Sequence, residues 1–424
     1  MADLILGDVL LFDGDPFAVP WHEAVRVEAG GVLVEDRKII AIGEPDELKR
    51  PEVTVHDFTG HLICPGFVDA HAHYPQTAII ASWGKRLIDW LNTYTFPEEM
   101  RLADPTYASA VAARYLDLLL ANGTTSVASY CTIHPHSADA FFDAAEARGM
   151  AVVAGKTCMD RNAPESLRDT AQSAYDDSKA LIDRWHGKGR ARYAITPRFS
   201  PTSTPEQLAA LGALWSERQT CVMQTHLSEQ VDEIAWAREL YQDARDYLDT
   251  YEMHGLLGER GLYGHAIHLE PRERDRLAEV GAGLVHCPTS NTFIGSGLFD
   301  MTLASSMPVG LATDTGGGSS FSMLRTMAAA YEIAQLRGSA LHPAQLLWLA
   351  TAGSARVVHR GEEIGHIAPG MAADLTILDL GSTPAIVQRN AMANDIWEAV
   401  FPTIMMGDDR AVAAVWVDGR KVGH

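Results

Sequence analysis

The sequence is short of basic residues and has no long apolar run. Its 424 residues include 34 Lys and Arg against 55 Asp and Glu, which gives a formal net charge of −21 at pH 7. A surface this acidic repels phosphate groups, so nucleic acids and anionic membranes are poor partners. No apolar stretch reaches the roughly 20 residues of a membrane-spanning helix. We therefore expect a protein that binds neither nucleic acid nor membrane.

Cysteine is also scarce. The sequence has five cysteines, which are Cys64, Cys131, Cys158, Cys221 and Cys287. They are scattered, odd in number and placed in apolar runs, which is typical of reduced core thiols and not of a disulfide framework. Residues 1–4 contain neither a basic stretch nor a cleavable apolar segment, so we read no signal peptide. The sequence therefore predicts a cytoplasmic location.

The two ends of the chain resemble each other in pattern. Short apolar runs at residues 32–34 and 39–43 flank a charged turn, as in a β-hairpin. Similar β-rich runs occur at residues 373–380 and 412–419. We predict one small β-sandwich domain built from both termini, covering residues 1–65 and 371–424.

The middle of the chain, residues 66–370, alternates strand-like and helix-like segments. Asp104 and Pro105 precede an Ala- and Leu-rich stretch that stops at Gly123, which predicts a capped helix. Thr204 has the spacing of a second helix cap. The strand candidates are residues 124–130, 150–154, 193–196, 222–225, 283–286 and 309–313. Apolar strands alternating with amphipathic helices over about 300 residues predict an α/β fold with a (β/α)8 TIM-like barrel.

The strongest chemical signal is a pair of histidines at the end of an apolar strand. His71 and His73 are two residues apart, so in a strand both side chains point to the same face. Other strand candidates end in or near His226, His265 and Asp314. Such a donor set suits Zn²⁺, with Fe²⁺ as an alternative. A hydrogen-bonded strand end explains any one of these residues, but several in one chain favour a metal site.

A second histidine pair, His134 and His136, is interrupted by Pro135 and is not preceded by a closing apolar strand. We interpret this segment as a surface loop and not as a metal site.

Several segments together resemble a known enzyme family. PGFVDAHAH (residues 65–73) and GHIAPGMAAD (residues 365–374) are similar to general signatures of the amidohydrolase superfamily. Six further segments resemble more specifically the guanine deaminase family within it: HYPQ (73–76), WLNTYTFPEE (90–99), TPRFS (196–200), THLSE (225–229), HCPTSN (286–291) and ATDTGGG (312–318). One departure is residues 263–266, Tyr-Gly-His-Ala, where the family usually has Ala-His-Gly.

The resemblance implies hydrolysis of guanine to xanthine and ammonia by a homodimeric, metal-dependent enzyme. It assigns one metal ion, Zn²⁺ in preference to Fe²⁺, to four ligands: His71, His73, His226 and Asp314. Some relatives bridge two metals with a lysine carbamate on the fourth barrel strand. Here that strand is expected to end at Arg198, which cannot form a carbamate, so we expect a single metal.

The expected catalytic residues are Glu229, His265 and Asp314. Glu229 would carry a proton to ring N3 and to the leaving amine. His265 would donate to the developing oxyanion or orient the hydroxide, and Asp314 would take the proton of the water or hold the hydroxide. The expected substrate-binding residues are His73, Gln76, Arg198, Phe199, His226 and Glu229. Of these, Arg198 suits the O6/N7 edge of guanine, Gln76 can donate and accept at once, and Phe199 either stacks on the base or fills core.

Two other interpretations stay open at this point. One is a related aminohydrolase that acts on adenosine-like, 8-oxoguanine, pterin or triazine rings, and Arg198 together with Gln76 is the feature that argues against it. The other is a barrel that has lost its chemistry and serves as a scaffold. Such a protein would be expected to lose metal ligands, whereas all four are present here together with Glu229.

Overall fold

The computed structural model describes residues 2–84 and 86–422. The strands, in chain order, are β1 (Ala2–Phe12), β2 (Val25–Glu35), β3 (Lys38–Gly43), β4 (Val53–Pro65), β5 (Phe67–His73), β6 (Thr124–Tyr130), β7 (Ala151–Gly155), β8 (Thr157–Cys158), β9 (Ala191–Pro197), β10 (Val222–Leu227), β11 (Gly261–His265), β12 (Gly283–His286), β13 (Val309–Leu311), β14 (Leu375–Asp379), β15 (Val412–Val417) and β16 (Arg420–Val422).

The helices, in chain order, are α1 (Trp21–Ala24), α2 (Pro45–Leu48), α3 (Leu87–Trp90), α4 (Phe96–Arg101), α5 (Pro105–Ala121), α6 (Pro135–Arg148), α7 (Ala171–Trp185), α8 (Pro205–Glu217), α9 (Val231–Leu240), α10 (Asp249–Glu252), α11 (Pro271–Val280), α12 (Pro288–Phe293), α13 (Met323–Leu336), α14 (Pro343–Trp348), α15 (Ser354–Val357), α16 (Pro384–Asn390) and α17 (Ile396–Met406). Two π-helical turns, Leu91–Thr95 and Leu349–Gly353, continue α3 and α14. Among the described residues, no helix is both long and apolar enough to cross a membrane.

Eight parallel strands form the predicted barrel, in the order β5-β6-β7-β9-β10-β11-β12-β13. The first and last strands meet through backbone hydrogen bonds just beyond β13. The Asp314 N–H donates to the His71 carbonyl at 2.9 Å, and the His73 N–H donates to the Thr315 carbonyl at 3.0 Å. These two bonds tie the end of the eighth strand to the end of the first, which nearly closes the barrel and confirms the fold class.

Local sequence signals account for where several barrel helices begin. The Asp104 side chain accepts a hydrogen bond from the Thr106 N–H, and Pro105 is the first residue of α5. Thr204 caps α8 in the same manner. The expected loop at His134–His136 is wrong, because α6 begins at Pro135. Proline is well tolerated at the first helical position, where its missing N–H has no partner to lose.

Both ends of the chain join one separate seven-stranded sheet, in the order β16-β15-β14-β4-β1-β2-β3. β14, from the C-terminal part, pairs antiparallel with β4, from the N-terminal part. β1 and β4 run parallel and the other neighbours antiparallel. Trp416 is fully buried in the apolar cluster of this sheet. The prediction that both termini build a separate β unit is therefore confirmed.

Small apolar side chains fill the inside of the barrel. One buried cluster has members on β5, β6, β7, β9, β10, β11 and β12, which only the barrel interior can bring together. The five cysteines are free and buried, as predicted. A packed interior leaves the carboxyl ends of the strands as the place where polar side chains can gather.

Candidate active site

The four predicted metal ligands and the predicted catalytic residue His265 meet at the carboxyl ends of four barrel strands. His71 and His73 end β5, His226 lies near the end of β10, and His265 ends β11. Asp314 follows β13 by three residues. Carboxyl ends of parallel barrel strands face one rim, which is where the sites of such barrels form.

Their side-chain donor atoms lie close together. Asp314 Oδ1 is 3.5 Å from His71 Nε2 and 3.4 Å from His73 Nε2. His73 Nε2 and His226 Nε2 are 3.1 Å apart. Two overlapping groups, His71 with His73 and Asp314, and His71 with His226 and His265, each keep their donor atoms within 4.8 Å of one another. The cluster is therefore dense enough to hold a metal ion.

The imidazoles are in the form that binds metal. The Arg198 carbonyl, 2.7 Å from His226 Nδ1, can only accept, so Nδ1 carries the proton and Nε2 presents a lone pair to the cluster. Burial lowers the pKa of His71 and holds the pKa of His73 and of His226 well below the usual range. His71 Nε2 is buried without a hydrogen-bond partner among the described residues. Neutral histidines beside a carboxylate fit a divalent metal.

The backbone is strained at two residues of the cluster and at the residue after one of them. Asp314 has φ = +48° and His265 has φ = +66°, both in the left-handed region that non-glycine residues rarely adopt. Ala266, where the family usually has glycine, has φ = +49°. Gly264 lies against His71, and a Cβ there would be 2.8 Å from the ring atom Cε1. The departure at residues 263–266 thus places a glycine where the His71 ring needs the space.

The two carboxylates of the site, Glu229 and Asp314, have pKa values shifted in opposite directions. Burial raises the pKa of Glu229 to about 7. Burial would also raise the pKa of Asp314, but its contacts with the His71 and His265 imidazoles outweigh burial and lower that pKa to about 2. Asp314 is therefore a carboxylate at neutral pH, while Glu229 can gain or lose a proton. Environments that separate two pKa values in this way are typical of acid–base sites.

Glu229 and His265 are held by α12 and the loop that follows it. The Ser296 hydroxyl donates to Glu229 Oε1 at 2.8 Å, and Asn291 Oδ1 is 2.9 Å from His265 Nδ1. His265 Nε2 faces both carboxylates, 3.5 Å from Glu229 Oε2 and 3.9 Å from Asp314 Oδ2. The geometry therefore links Glu229 to the metal-binding cluster through one imidazole.

A cavity of about 420 Å³ opens onto this cluster. It is lined by His73, Gln76, Leu87, Trp90, Leu91, Arg198, Phe199, His226, Glu229, His265, Ile294, Asp314 and Gly317. All six residues expected to contact substrate are among them.

Sequence reasoning missed three residues that orient the site: Glu99, Asn291 and Ser296. Glu99 accepts hydrogen bonds from Gln76 Nε2 at 2.9 Å and from Arg198 Nη1 at 2.9 and 3.0 Å. Glu99 and Asn291 lie inside segments that carry the family resemblance, and this was the available signal. Ser296 lies outside all of these segments.

Comparison with known proteins agrees with the geometry. Residues 62–422 match the model of the amidohydrolase family. Guanine deaminase of Escherichia coli (strain K12) is 43% identical over 401 residues, covering 93% of this chain and 91% of that protein. A solved structure of E. coli guanine deaminase has a TM-score of 0.96 at 40% identity, covering 99% of each chain. A guanine deaminase structure from C. acetobutylicum, with guanine bound in its active site, has a TM-score of 0.90 at 26% identity over all of both chains. The chain therefore belongs to the amidohydrolase family and, within it, to the guanine deaminases.

Proposed function

We propose that this protein hydrolyses guanine to xanthine and ammonia. The observation that carries the proposal is a single cavity in which a metal-binding cluster, the proton-carrying Glu229 and the polar side chains of Arg198 and Gln76 meet. The relatives named guanine deaminase support the same reaction. One site thus combines the groups needed to activate water, move protons and recognise a purine.

We assign the metal to His71, His73, His226 and Asp314, and we propose one Zn²⁺ per chain in preference to Fe²⁺. Three neutral imidazoles and one carboxylate are a donor set that zinc favours. Arg198 follows β9, the fourth barrel strand, so that strand offers no lysine for a bridging carbamate. This argues for a single ion.

Proton transfer falls to the residues around the cluster. A divalent metal held by His71, His73, His226 and Asp314 would make water acidic enough to be deprotonated at neutral pH, because such a metal lowers the pKa of water from 15.7 to about 7. Glu229 takes one proton of the water and delivers it to ring N3. It then moves the second proton, from the new C2 hydroxyl, to the amine, so that the C–N bond breaks, ammonia leaves and C2 becomes a carbonyl. Asp314 stays ionised and orients the attacking water through a carboxylate oxygen. The charges of Glu229 and Asp314 raise the pKa of His265 despite burial, so the ring can donate as an imidazolium from Nε2 to the oxygen on which negative charge develops.

The remaining polar residues recognise the base. Arg198 donates to the O6/N7 edge of guanine, and Gln76 pairs with the neighbouring donor on the ring. Phe199 lines the cavity with its ring centroid 6.4 Å from that of His226, so it borders the base beside a metal ligand. His73 and His226 complete the wall that C2 must approach.

The proposal also covers the domain boundaries, the oligomeric state and the location of the protein. We assign residues 66–370 to the catalytic barrel, with residues 1–65 and 371–424 in the composite β unit. We propose a homodimer, which the family resemblance implies and which size-exclusion chromatography with light scattering would test. A cytoplasmic location is supported by the five buried free thiols, because a reducing compartment keeps such thiols unpaired.

The test of the proposed reaction is a panel of substrates. Guanine, adenine, cytosine and an aminotriazine are incubated with the protein, and released ammonia is quantified. Guanine is expected to be converted fastest, with xanthine and ammonia in equal amounts. A protein that prefers adenine or the triazine would instead be a related aminohydrolase, and one that releases no ammonia from any of them would be a scaffold.

A further inference from the structure

We propose that Glu99 is a positioning residue. It fixes the order of hydrogen-bond donors and acceptors that Arg198 and Gln76 present to the purine edge. The inference rests on the proposed function and deepens it, because it names the group that makes this pocket prefer a ring carbonyl over a ring amine. Nothing in the sequence pattern assigns a role to Glu99.

Glu99 lies behind the cavity and binds two residues that line it. It belongs to α4 and is 1% exposed. Its Oε1 accepts from Gln76 Nε2 at 2.9 Å and from Arg198 Nη1 at 3.0 Å, and its Oε2 accepts from the same Nη1 at 2.9 Å. Glu99 is absent from the cavity lining, whereas Gln76 and Arg198 are part of it. Glu99 therefore acts on a ligand only through these two side chains.

A carboxylate can only accept hydrogen bonds, and this decides how the Gln76 amide is turned. The amide must direct its NH₂ group to Glu99, which leaves Oε1 as its acceptor. The space for Oε1 depends on Gly316, where a Cβ would lie 2.0 Å from that oxygen. The amide of Gln76 is therefore held in one of its two orientations.

The same carboxylate holds the Arg198 guanidinium. It takes Nη1, and no other described residue binds the remaining N–H groups of the fork, which can therefore face a ligand. The pair thus offers donors from Arg198 next to an acceptor from Gln76. Guanine presents the complementary order, because its O6 accepts and its N1–H donates. Adenine presents the reverse order, since its N6 amino group donates and its N1 accepts.

A neighbouring residue provides a matched control. Glu98 is also buried, at 5% exposure, and its carboxylate also pairs with an arginine, since Arg101 Nη1 lies 2.9 Å from Oε2. Its other partner is the Tyr107 hydroxyl. Neither partner lines the cavity. If ligand binding changes because α4 loses charge or is weakened, substitutions at Glu98 and Glu99 should both show the change. If it changes because the purine edge is no longer recognised, only the substitution at Glu99 should show it.

The test compares the binding of two ligands that are not deaminated. Hypoxanthine carries O6 and N1–H but lacks the C2 amino group, and purine lacks all three. Dissociation constants are measured by calorimetry for the metal-loaded wild type, Glu99→Gln and Glu98→Gln, with metal content determined in each. The glutamine at 99 can donate to Gln76 Oε1 and so permits the opposite amide orientation.

We expect Glu99→Gln to bind hypoxanthine on the order of 100-fold more weakly, because two hydrogen bonds to the edge are misdirected. Purine binding should change less than about threefold, as should both ligands in Glu98→Gln, since neither change touches an edge contact. A wild type that binds the two ligands equally, an unchanged preference in Glu99→Gln, or an equal loss of both ligands would overturn the proposal.

Glu99→Asp extends the test if the glutamine variant fails to fold. It keeps the charge but is one methylene shorter, so a loss of hypoxanthine preference of about tenfold is expected. An unchanged preference would refute the role of Glu99. Ligand preference is measured without turnover, so a wild type that releases no ammonia from guanine refutes the proposed reaction by a separate result.

Discussion

Replacing Glu229 by glutamine keeps the shape of a buried side chain and removes its ability to carry a proton. The glutamine oxygen can still accept from the Ser296 hydroxyl, which donates to Glu229 Oε1 at 2.8 Å. The new NH₂ group then takes the place of Oε2, 3.5 Å from His265 Nε2. Because Glu229 is outside the metal-binding set, the variant should fold and hold its metal.

The expected loss is in turnover. General acid–base catalysis contributes about 10²–10⁴-fold, so kcat on guanine should fall by that factor, or about 2.7–5.4 kcal/mol of barrier. The KM should change little, because the cavity wall keeps its shape. Steady-state formation of xanthine is followed by absorbance, and metal is quantified in the same samples. A Glu229→Gln protein with full metal and more than about a tenth of the wild-type rate would refute the proton-carrier role.

Glu273 provides the control for this substitution. Burial raises its pKa to about 7, as for Glu229, and its side chain accepts from the backbone N–H groups of Leu248 and Glu270 at 2.9 and 2.6 Å. It lies outside the active-site cavity. Glu273→Gln should therefore lower the free energy of unfolding, by about 1–3 kcal/mol for weakened buried hydrogen bonds, and leave the rate per folded molecule unchanged.

Four further substitutions test other parts of the site. His71→Ala or Asp314→Ala should lower metal occupancy, and with it activity, because each removes one of the four ligands. If both variants held a full complement of metal tightly, the assignment of these residues as ligands would be wrong. Arg198→Met should keep its metal but lose kcat/KM on guanine by about 10²–10³-fold, because up to two hydrogen bonds from a charged group, of about 1.5–3 kcal/mol each, are lost. A near-normal kcat/KM would contradict the role of Arg198 in recognising guanine. Gly264→Val places a Cβ 2.8 Å from His71 Cε1, with two methyl groups beyond it, and should weaken metal affinity, which a titration with a chelator measures. Unchanged affinity would show that the ring can move aside.

The fold could be predicted because its signals are local. Buried parallel strands are often apolar throughout, and helix starts carry caps, so strands such as β7 and helices such as α5 follow from short windows of sequence. The segment at His134 shows the limit. A proline after a histidine predicts a loop or the start of a helix equally well, and packing against the barrel decides for the helix.

The metal-binding cluster was predictable for a geometric reason, and the residues that orient the site were not. Parallel strand ends meet at one rim, so side chains that follow different strands converge without knowledge of the exact packing. Glu99 is 23 residues from Gln76 and 99 residues from Arg198 in sequence. Its contacts depend on how residues 91–101 return across the mouth of the barrel, which no local pattern specifies. The same holds for Ser296, which reaches Glu229 from 67 residues away.

The most direct test of the central claim is ammonia release from guanine as a function of bound metal. The protein is stripped with a chelator, reloaded with increasing Zn²⁺, and assayed at each occupancy determined by elemental analysis. We expect no activity without metal and a rate that rises in proportion to occupancy until one ion is bound per chain. Full activity in the stripped protein, or no ammonia from guanine in the fully loaded protein, would contradict it.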